Sequence, residues 1–343
     1  MKLRFWKVLL AAIMVSGIFS VAEATQKEVA GEVDFRIALD APEASRDVKV
    51  WIPYPVSDRW QSIADMKIEG NFTYSGIYRE KETGNLALYA EWNTPVKDRF
   101  INLSFKATAE ERVKKDFPTT DGEPFPAEVK PYLEETTFIP LDGKVREAAL
   151  KATEGKKGIL QKAEGVFDWT VENTFRDPEV QGCGIGDVEK TLARRGGKCA
   201  DISSVFVAVA RSAGIPAREV FGLRLGKKDG DDITGGHHCW AEFYLPGYGW
   251  VPVDPADVRK AMLVNKLELK DAKEYRDYFF GAVDPYRIAL ATGGRGYYLS
   301  PRQKDGPLNY FMYPYAEIDG KAIEWLAGQK ELKYRILFKK NEK

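Results

Sequence analysis

The hydrophobic period of the chain changes between its first and second parts, and this change constrains the fold most strongly. Before residue 117, apolar and polar residues alternate, as in Val33–Leu39 and Leu86–Trp92. Such alternation is typical of strands with one buried face. After residue 140 the apolar positions recur at helical spacing, most clearly from Ile202 to Ala213. The sequence therefore predicts a β-rich domain followed by a mixed α+β domain.

The turns and prolines predict where these domains begin and end. Short alternating segments separated by turn residues predict an all-β sandwich over 25–116. Four prolines between 118 and 131 predict a stiff linker over 117–140, and 141–343 is predicted to form the second domain with a C-terminal extension. The predicted strands are 33–39, 48–52, 86–92, 100–105, 218–225, 238–245 and 250–253, with two more near Tyr297 and Tyr334. The predicted helices are 145–152, 163–173, 199–213 and a charged helix near 268–280.

Residues 1–24 have the composition of a secretory signal peptide. A basic start, Met1–Lys7, precedes the apolar segment Val8–Ala22, and Ala22-Glu23-Ala24 supplies the small residues that a signal peptidase requires. The apolar segment is shorter than the roughly 20 residues that span a bilayer, so no stable membrane anchor is expected. We expect a periplasmic or secreted protein in an oxidising compartment.

Composition excludes several classes of function. Lys+Arg and Asp+Glu both number 51, so the chain lacks the uniform positive field of a nucleic-acid-binding protein. Its three cysteines are too few for a disulfide scaffold. Its two histidines are the neighbours His237 and His238, so chemistry that needs an imidazole is expected there.

Cys199 is the candidate nucleophile. It follows Gly196-Gly197-Lys198 and begins the most regular predicted helix. Unpaired backbone N–H groups and the helix dipole stabilise a thiolate at such a position, and the cations Arg194, Arg195 and Lys198 add to that field. A thiolate is the form of cysteine that attacks an acyl carbon.

His238 and Asp254 are the candidate partners of this thiol. His238 begins one predicted strand, and Asp254 ends the next strand across a short turn, so a hairpin can bring them together. The imidazole would move a proton, and the carboxylate would orient the ring. Taken singly, each residue also fits a structural role, as a buried cysteine, a core histidine and a turn aspartate.

Four sequence blocks closely resemble the signature of the transglutaminase-like superfamily. They are Gly197-Lys198-Cys199-Ala200-Asp201, Ala210–Arg218, His238–Tyr244 and Gly249–Pro255. The resemblance covers about Val166 to Asp257 and implies a papain-like α+β core, in which a nucleophile helix packs on an antiparallel sheet. It implies that Cys199 is the nucleophile, His238 the general acid/base and Asp254 its orienter, with no cofactor and no metal.

The expected function is an exported cysteine hydrolase or acyltransferase that acts on peptide or other amide bonds, including those of cell-envelope proteins. A non-catalytic envelope-binding module and a protein cross-linking transglutaminase are the alternatives. The backbone N–H of Cys199 is the expected first oxyanion donor. A second donor among Trp169, Asn173 and Gln181 stays open.

The remaining cysteines leave two further alternatives. Cys183 lies in the glycine-rich segment 182–186, and Cys239 follows His238, so a disulfide between them is one option. A zinc site formed by the three cysteines and the histidines is disfavoured because the chain has no CxxC or HExxH spacing. The glycine-rich segment resembles a phosphate loop only weakly, because no GK[ST] follows it.

Overall fold

Two five-stranded antiparallel sheets form the N-terminal sandwich in the structure of this chain, a computed structural model. The structure describes residues 27–118, 124–293, 295–323, 326 and 331–340, so the predicted signal peptide 1–24 lies outside the described residues. The N-terminal strands are β1 (Glu28–Leu39), β2 (Val48–Pro53), β3 (Gln61–Gly70), β4 (Tyr74–Arg79), β5 (Leu86–Trp92), β6 (Arg99–Glu110) and β7 (Arg112–Val113). The predicted β-rich region is thereby confirmed, although β3 and β4 were not predicted.

Hydrophobic alternation explains the sandwich. In β6, Ile101, Leu103 and Phe105 are buried, and the residues between them are more exposed. The same pattern in β1 directs Val33 and Ile37 into one core shared by both sheets. Strands with one apolar face must cover it, and a second sheet does so here.

The described residues after β7 contribute eleven further strands. They are β8 (Phe175–Arg176), β9 (Gly196–Gly197), β10 (Ala217–Arg224), β11 (Asp231–Asp232), β12 (His237–Leu245), β13 (Gly249–Val253), β14 (Ala282–Val283), β15 (Arg287–Thr292), β16 (Tyr315–Ile318), β17 (Lys321–Ala322) and β18 (Leu332–Lys340). The sandwich sheets have the strand orders β11-β18-β1-β6-β3 and β17-β16-β2-β5-β4. The C-terminal extension therefore completes the N-terminal sandwich, with β18 paired to β1 and β16 paired to β2. The division at 116 and 141 stays a prediction.

The second part packs helices on a four-stranded antiparallel sheet of order β13-β12-β10-β15. The helices are α1 (Lys144–Ala152), α2 (Gly158–Asn173), α3 (Val188–Arg194), α4 (Cys199–Ser212), α5 (Pro255–Asn265) and α6 (Lys273–Phe279). Helix α4 packs against β12 and β10, and α1, α2 and α3 cover its other sides. Gly214 then adopts a φ of +80°, which ends the helix in the left-handed conformation that glycine tolerates best.

Three predictions for the second part need correction. Helix α5 was not predicted, although Asp254 accepts from the N–H of Asp257 as an N-cap and Pro255 occupies the first turn. The strand near Tyr297 was wrong, because Tyr297 forms only an isolated bridge with Leu308. The charged helix near 268–280 is a 3-10 turn, Leu269–Asp271, followed by the shorter α6.

The described part of the proline-rich segment 117–140 packs against the second part of the fold. It contains a 3-10 helix, Ala127–Leu133, whose Tyr132 ring lies 5.1 Å from that of Trp250. Arg211 donates to the carbonyl of Glu134 at 2.7 Å, and Ile139 is fully buried. No helix in the described part of the chain is long and apolar enough to cross a membrane.

The pairing of β18 with β1 generates a stability prediction. Ile336 is fully buried in the sandwich core, so Ile336→Ala is expected to lower the free energy of unfolding by about 2–5 kcal/mol. Lys339→Ala on the same strand is the control, because its exposed side chain is expected to contribute less than about 0.5 kcal/mol. Urea unfolding followed by circular dichroism measures both. Equal values for the two variants would show that β18 does not belong to the sandwich core.

Candidate active site

Asp201 organises the chain around the start of α4. Its carboxylate accepts from the backbone N–H of Lys198 at 3.0 Å and from that of Gly186 at 2.9 Å. The glycine-rich segment 182–186 therefore wraps the N-terminus of α4. Gly184, with a φ of +88°, lies so close to Asp201 that a Cβ there would overlap the carboxylate. The glycines hold this segment against the helix start, a role that the sequence did not reveal.

Cys199 occupies the first position of α4 and has three polar partners. Its thiol lies in one buried cluster with Cys183 and Cys239, and these two thiols and the His238 ring are close enough to lower its pKa. Strand alternation places His238 and Cys239 on opposite faces of β12, yet both reach Cys199, which lies at the end where β12 begins. All three cysteines are buried free thiols, so Cys183 and Cys239 are not joined by a disulfide.

His238 and Asp254 meet as the predicted hairpin geometry requires. Strands β12 and β13 pair antiparallel, with Ala241 opposite Val253. The Nε2 atom of His238 lies 2.7 Å from Oδ2 of Asp254, and both side chains are buried. Because Nε2 faces the carboxylate, Nδ1 is the ring nitrogen left for the thiol. The structure brings the three candidate residues together, and their catalytic roles stay predictions.

The electrostatics of this cluster favour a thiolate next to an imidazolium. Burial opposes the charged thiolate, but the neighbouring polar thiols of Cys183 and Cys239, together with His238, hold the pKa of Cys199 well below its usual value. Burial and Arg224 disfavour the charged form of His238. The nearby carboxylates of Asp257 and Asp254 and the thiolate outweigh them and raise the pKa of His238.

The pKa values of the other two thiols and of the other histidine shift in the opposite directions. The pKa of Cys183 and that of Cys239 lie well above the usual value, because both thiols lie next to the Cys199 thiolate and are buried. The Cys183 thiol donates to the carbonyl of His237 at 3.1 Å. Burial lowers the pKa of His237 to about 4. Among the described residues, Nε2 of His237 has no hydrogen-bond partner. Cys199 and His238 are therefore distinguished from their own neighbours by their environment.

Arg287 neutralises the acidic side of the site, a role that no sequence pattern indicated. Its guanidinium, which is 1% exposed, donates to Asp254 and lies 2.8 Å from Asp257 and 2.7 Å from Asp284. The three carboxylates raise the pKa of Arg287 against the effect of burial, so the guanidinium stays charged. Asp257 also lies 3.7 Å from Nε2 of His238.

His238, Asp254 and Asp257 are the one group of metal-ligand side chains in the described part of the chain whose ligand atoms all lie within 4.8 Å of one another. Arg287 already supplies a positive charge to both carboxylates. The zinc set considered from the sequence, three cysteines with the histidines, does not form such a group among these residues.

A cavity of about 360 Å³ opens beside Cys199. Cys183 and His238, both in contact with Cys199, line it, whereas Cys199 itself is only 1% exposed. None of the three residues considered as a second oxyanion donor lines this cavity. Asn173 instead donates to the carbonyl of Trp169 at 2.9 Å, and the carbonyl of Gln181 accepts from Gly184.

The fold and the site define a mixed α+β protein with a cysteine at the start of a buried helix and a histidine–aspartate pair on the adjoining sheet. Residues 146–255 match the model of the transglutaminase-like superfamily. An uncharacterized protein of Haemophilus influenzae is 36% identical over 331 residues, which cover 88% of this chain and 89% of that protein. The chain belongs to the transglutaminase-like superfamily.

Two further similarities extend this result. A protein-glutamine gamma-glutamyltransferase of Pseudomonas aeruginosa is 33% identical over 87 residues, which cover 24% of this chain and 13% of that protein. A crystal structure from Cytophaga hutchinsonii, provisionally described as a cysteine protease, superposes with a TM-score of 0.52 at 16% identity. The superposition covers 92% of this chain and 100% of the Cytophaga hutchinsonii chain. The fold class predicted from the sequence is confirmed.

The charge balance around Arg287 generates a pH-dependent prediction. Burial favours the neutral form of Asp257. Three cations, His238, Arg224 and Arg287, nevertheless lower its pKa well below the usual value. Arg287→Met is expected to cost about 3–5 kcal/mol of unfolding free energy at pH 7.5, because it leaves buried carboxylates without their cation. The pKa of Asp257 then rises, so the loss is expected to shrink as the pH falls toward about 5.

Urea unfolding at pH 7.5 and at pH 5.5 measures this loss. Arg335→Met is the control, because the pair of Arg335 with Asp232 is exposed and is expected to contribute less than about 1 kcal/mol at either pH. A loss in Arg287→Met that stays constant or grows on acidification would contradict the assigned role of this arginine.

Proposed function

We propose that the protein is a cysteine hydrolase or acyltransferase that acts on peptide or other amide bonds through a thioester on Cys199. The observation that carries the proposal is the contact of the Cys199 thiol with a histidine that hydrogen-bonds a buried carboxylate. Membership of the transglutaminase-like superfamily supports the same chemistry.

In the acylation step the thiolate of Cys199 attacks the amide carbonyl carbon and forms a carbon–sulfur bond. The carbonyl oxygen becomes negative, and the backbone N–H of Cys199 in the first turn of α4 is the expected donor to it. The carbon–nitrogen bond then breaks as His238 gives its proton to the leaving amine. The product is a thioester on Cys199 and a neutral imidazole held by Asp254.

In the second step a water molecule or a second amine attacks the thioester, and His238 takes the proton that it loses. The carbon–sulfur bond breaks and restores the thiolate next to the imidazolium. Attack by water gives hydrolysis, and attack by an amine gives acyl transfer. The name of the Pseudomonas aeruginosa relative favours acyl transfer as a second outcome, and that relative matches 24% of the chain.

We also propose that this reaction takes place in the periplasm or outside the cell. The basic, apolar and small-residue order of residues 1–24 supports export. A peptide substrate in cell-envelope proteins would be accessible there.

The thiolate generates the prediction that tests this proposal. A thiol of ordinary pKa is only about 0.3% thiolate at pH 6, so it reacts slowly with iodoacetamide there. Cys199 is expected to keep most of its alkylation rate from pH 8 down to pH 6. His238→Ala is expected to lower the rate at pH 6 by at least about tenfold, because the imidazolium no longer stabilises the thiolate.

Peptide mapping by mass spectrometry assigns each alkylated cysteine. Cys183 and Cys239 serve as internal controls, because their raised pKa values keep them protonated over this range. Sluggish alkylation of all three thiols at pH 6, or a Cys199 rate that His238→Ala leaves unchanged, would favour a non-catalytic binding module.

A further inference from the structure

The cavity beside Cys199 has a one-sided charge. Four basic residues line it, Arg176, Lys198, Arg224 and Lys260, and no aspartate or glutamate is among the described residues of its wall. A concave surface with one sign of charge concentrates ligands of the opposite sign. The cavity therefore differs from the chain as a whole, which has a formal net charge of zero.

The positive charge of Arg224 is balanced by two carboxylates that do not line the cavity. It donates to Asp257 and lies 3.4 Å from Asp284. For Arg176, Lys198 and Lys260 the structure shows no carboxylate within ion-pair distance among the residues it describes. Three positive charges therefore face the cavity, and no described aspartate or glutamate forms an ion pair with any of them.

Strand pairing positions the backbone of Arg176 in this wall. Strand β8 pairs parallel with β9, and Arg176 lies opposite Gly197, two residues before Cys199. Its Nη1 atom is buried and has no hydrogen-bond partner among the described residues. A buried guanidinium N–H without an acceptor is unfavourable in the protein alone, and a ligand oxygen would satisfy it.

The surroundings of Lys260 agree with this crowding of positive charge. The Lys260 side chain is exposed, but its partial desolvation and the neighbouring Arg224 and Arg176 lower its pKa, against the opposing effects of Asp257 and the Cys199 thiolate. Arg176 is also close enough to Cys183 to lower the pKa of that thiol. The unpaired cations and the residues in contact with Cys199 thus line one cavity.

We infer that the substrate carries a carboxylate group close to the amide bond that Cys199 attacks, and that Arg176 binds this carboxylate with the help of Lys198 and Lys260. This inference rests on the proposed function. The planar guanidinium matches a carboxylate with two parallel hydrogen bonds, and the lysines add charge without fixing direction. An acidic peptide fits this site, and a peptide with neutral side chains leaves the cations unpaired.

The test compares two alkylating agents of similar size on the full-length protein. Iodoacetate carries a carboxylate and iodoacetamide does not, so the ratio of their rates at Cys199, divided by the same ratio for glutathione, measures preference for an anion. At low salt this normalised ratio is expected to be at least about 10. It is expected to fall as salt is added, because salt screens the charges. Arg176→Gln is expected to lower this normalised ratio by at least about fivefold, because the ratio is corrected within each variant for any change in the iodoacetamide rate.

Arg146→Gln is the matched control, because Arg146 is an exposed arginine on α1 and its loss is expected to leave the ratio unchanged. Lys260→Gln provides a second variant. Because the Lys260 side chain is exposed, its substitution is expected to leave the fold of the cavity wall intact. A normalised ratio near one, or a ratio that neither cavity variant lowers, would overturn the inference. The iodoacetamide rate would still report on the proposed function.

A binding measurement keeps the two proposals separate if Cys199 does not react at all. Isothermal titration calorimetry with glutarate is expected to show saturable binding that weakens at least about tenfold in Arg176→Gln, and glutaramide, its neutral analogue, is expected not to bind. Binding of glutarate with an unreactive Cys199 would support the anion site and contradict the catalytic proposal. Binding of inorganic phosphate without glutarate, or of neither anion, would contradict the carboxylate assignment.

Discussion

The buried guanidinium of Arg287 is the interaction on which the geometry of the site depends. It lies between Asp254, Asp257 and Asp284, which would repel one another without a cation. Arg287 begins the edge strand β15, whereas Asp254 precedes α5, so this contact ties the sheet to the helix. The position of Asp254, and with it the orientation of the His238 ring, therefore depends on the assembled fold.

The thiol end of the site is organised by a second buried charge. Asp201 lies in the first turn of α4 and holds the backbone of both Lys198 and Gly186. This arrangement places Cys183 next to Cys199, where it helps to lower the pKa of the Cys199 thiol. Three buried thiols thus share one cluster, and the lowered pKa belongs to the thiol that also faces His238. The environment, and not the residue type, selects the candidate nucleophile.

The sequence predicted those parts of the site that local patterns determine. Cys199 was recognised from the glycines before it and the helical period after it, and His238 and Asp254 from strand ends joined by a short turn. Arg287 and Arg176 could not be found in this way, because their roles depend on contacts between distant segments. Only the tertiary fold shows which carboxylates they meet or lack.

Local signals were also misread in places. Asp254 was predicted to end a strand, with a turn as the alternative role, and no helix was predicted after it, although an N-cap aspartate followed by proline is a common helix start and α5 begins there. A strand was also predicted near Tyr297, but the backbone there pairs only once. The place of β18 in the N-terminal sandwich was beyond prediction, because strand alternation does not identify the partner strand.

The most direct test of the central claim is the protonation state of His238, measured by ¹⁵N NMR of the imidazole nitrogens. The chain has two histidines, so the spectrum is simple to assign. We expect His237 to titrate with a pKa of about 4 and His238 to titrate above the usual range of a histidine, with its pKa falling in Cys199→Ser because the thiolate is gone. A His238 pKa at or below that usual range, or a titration that Cys199→Ser leaves unchanged, would contradict the thiolate–imidazolium pair.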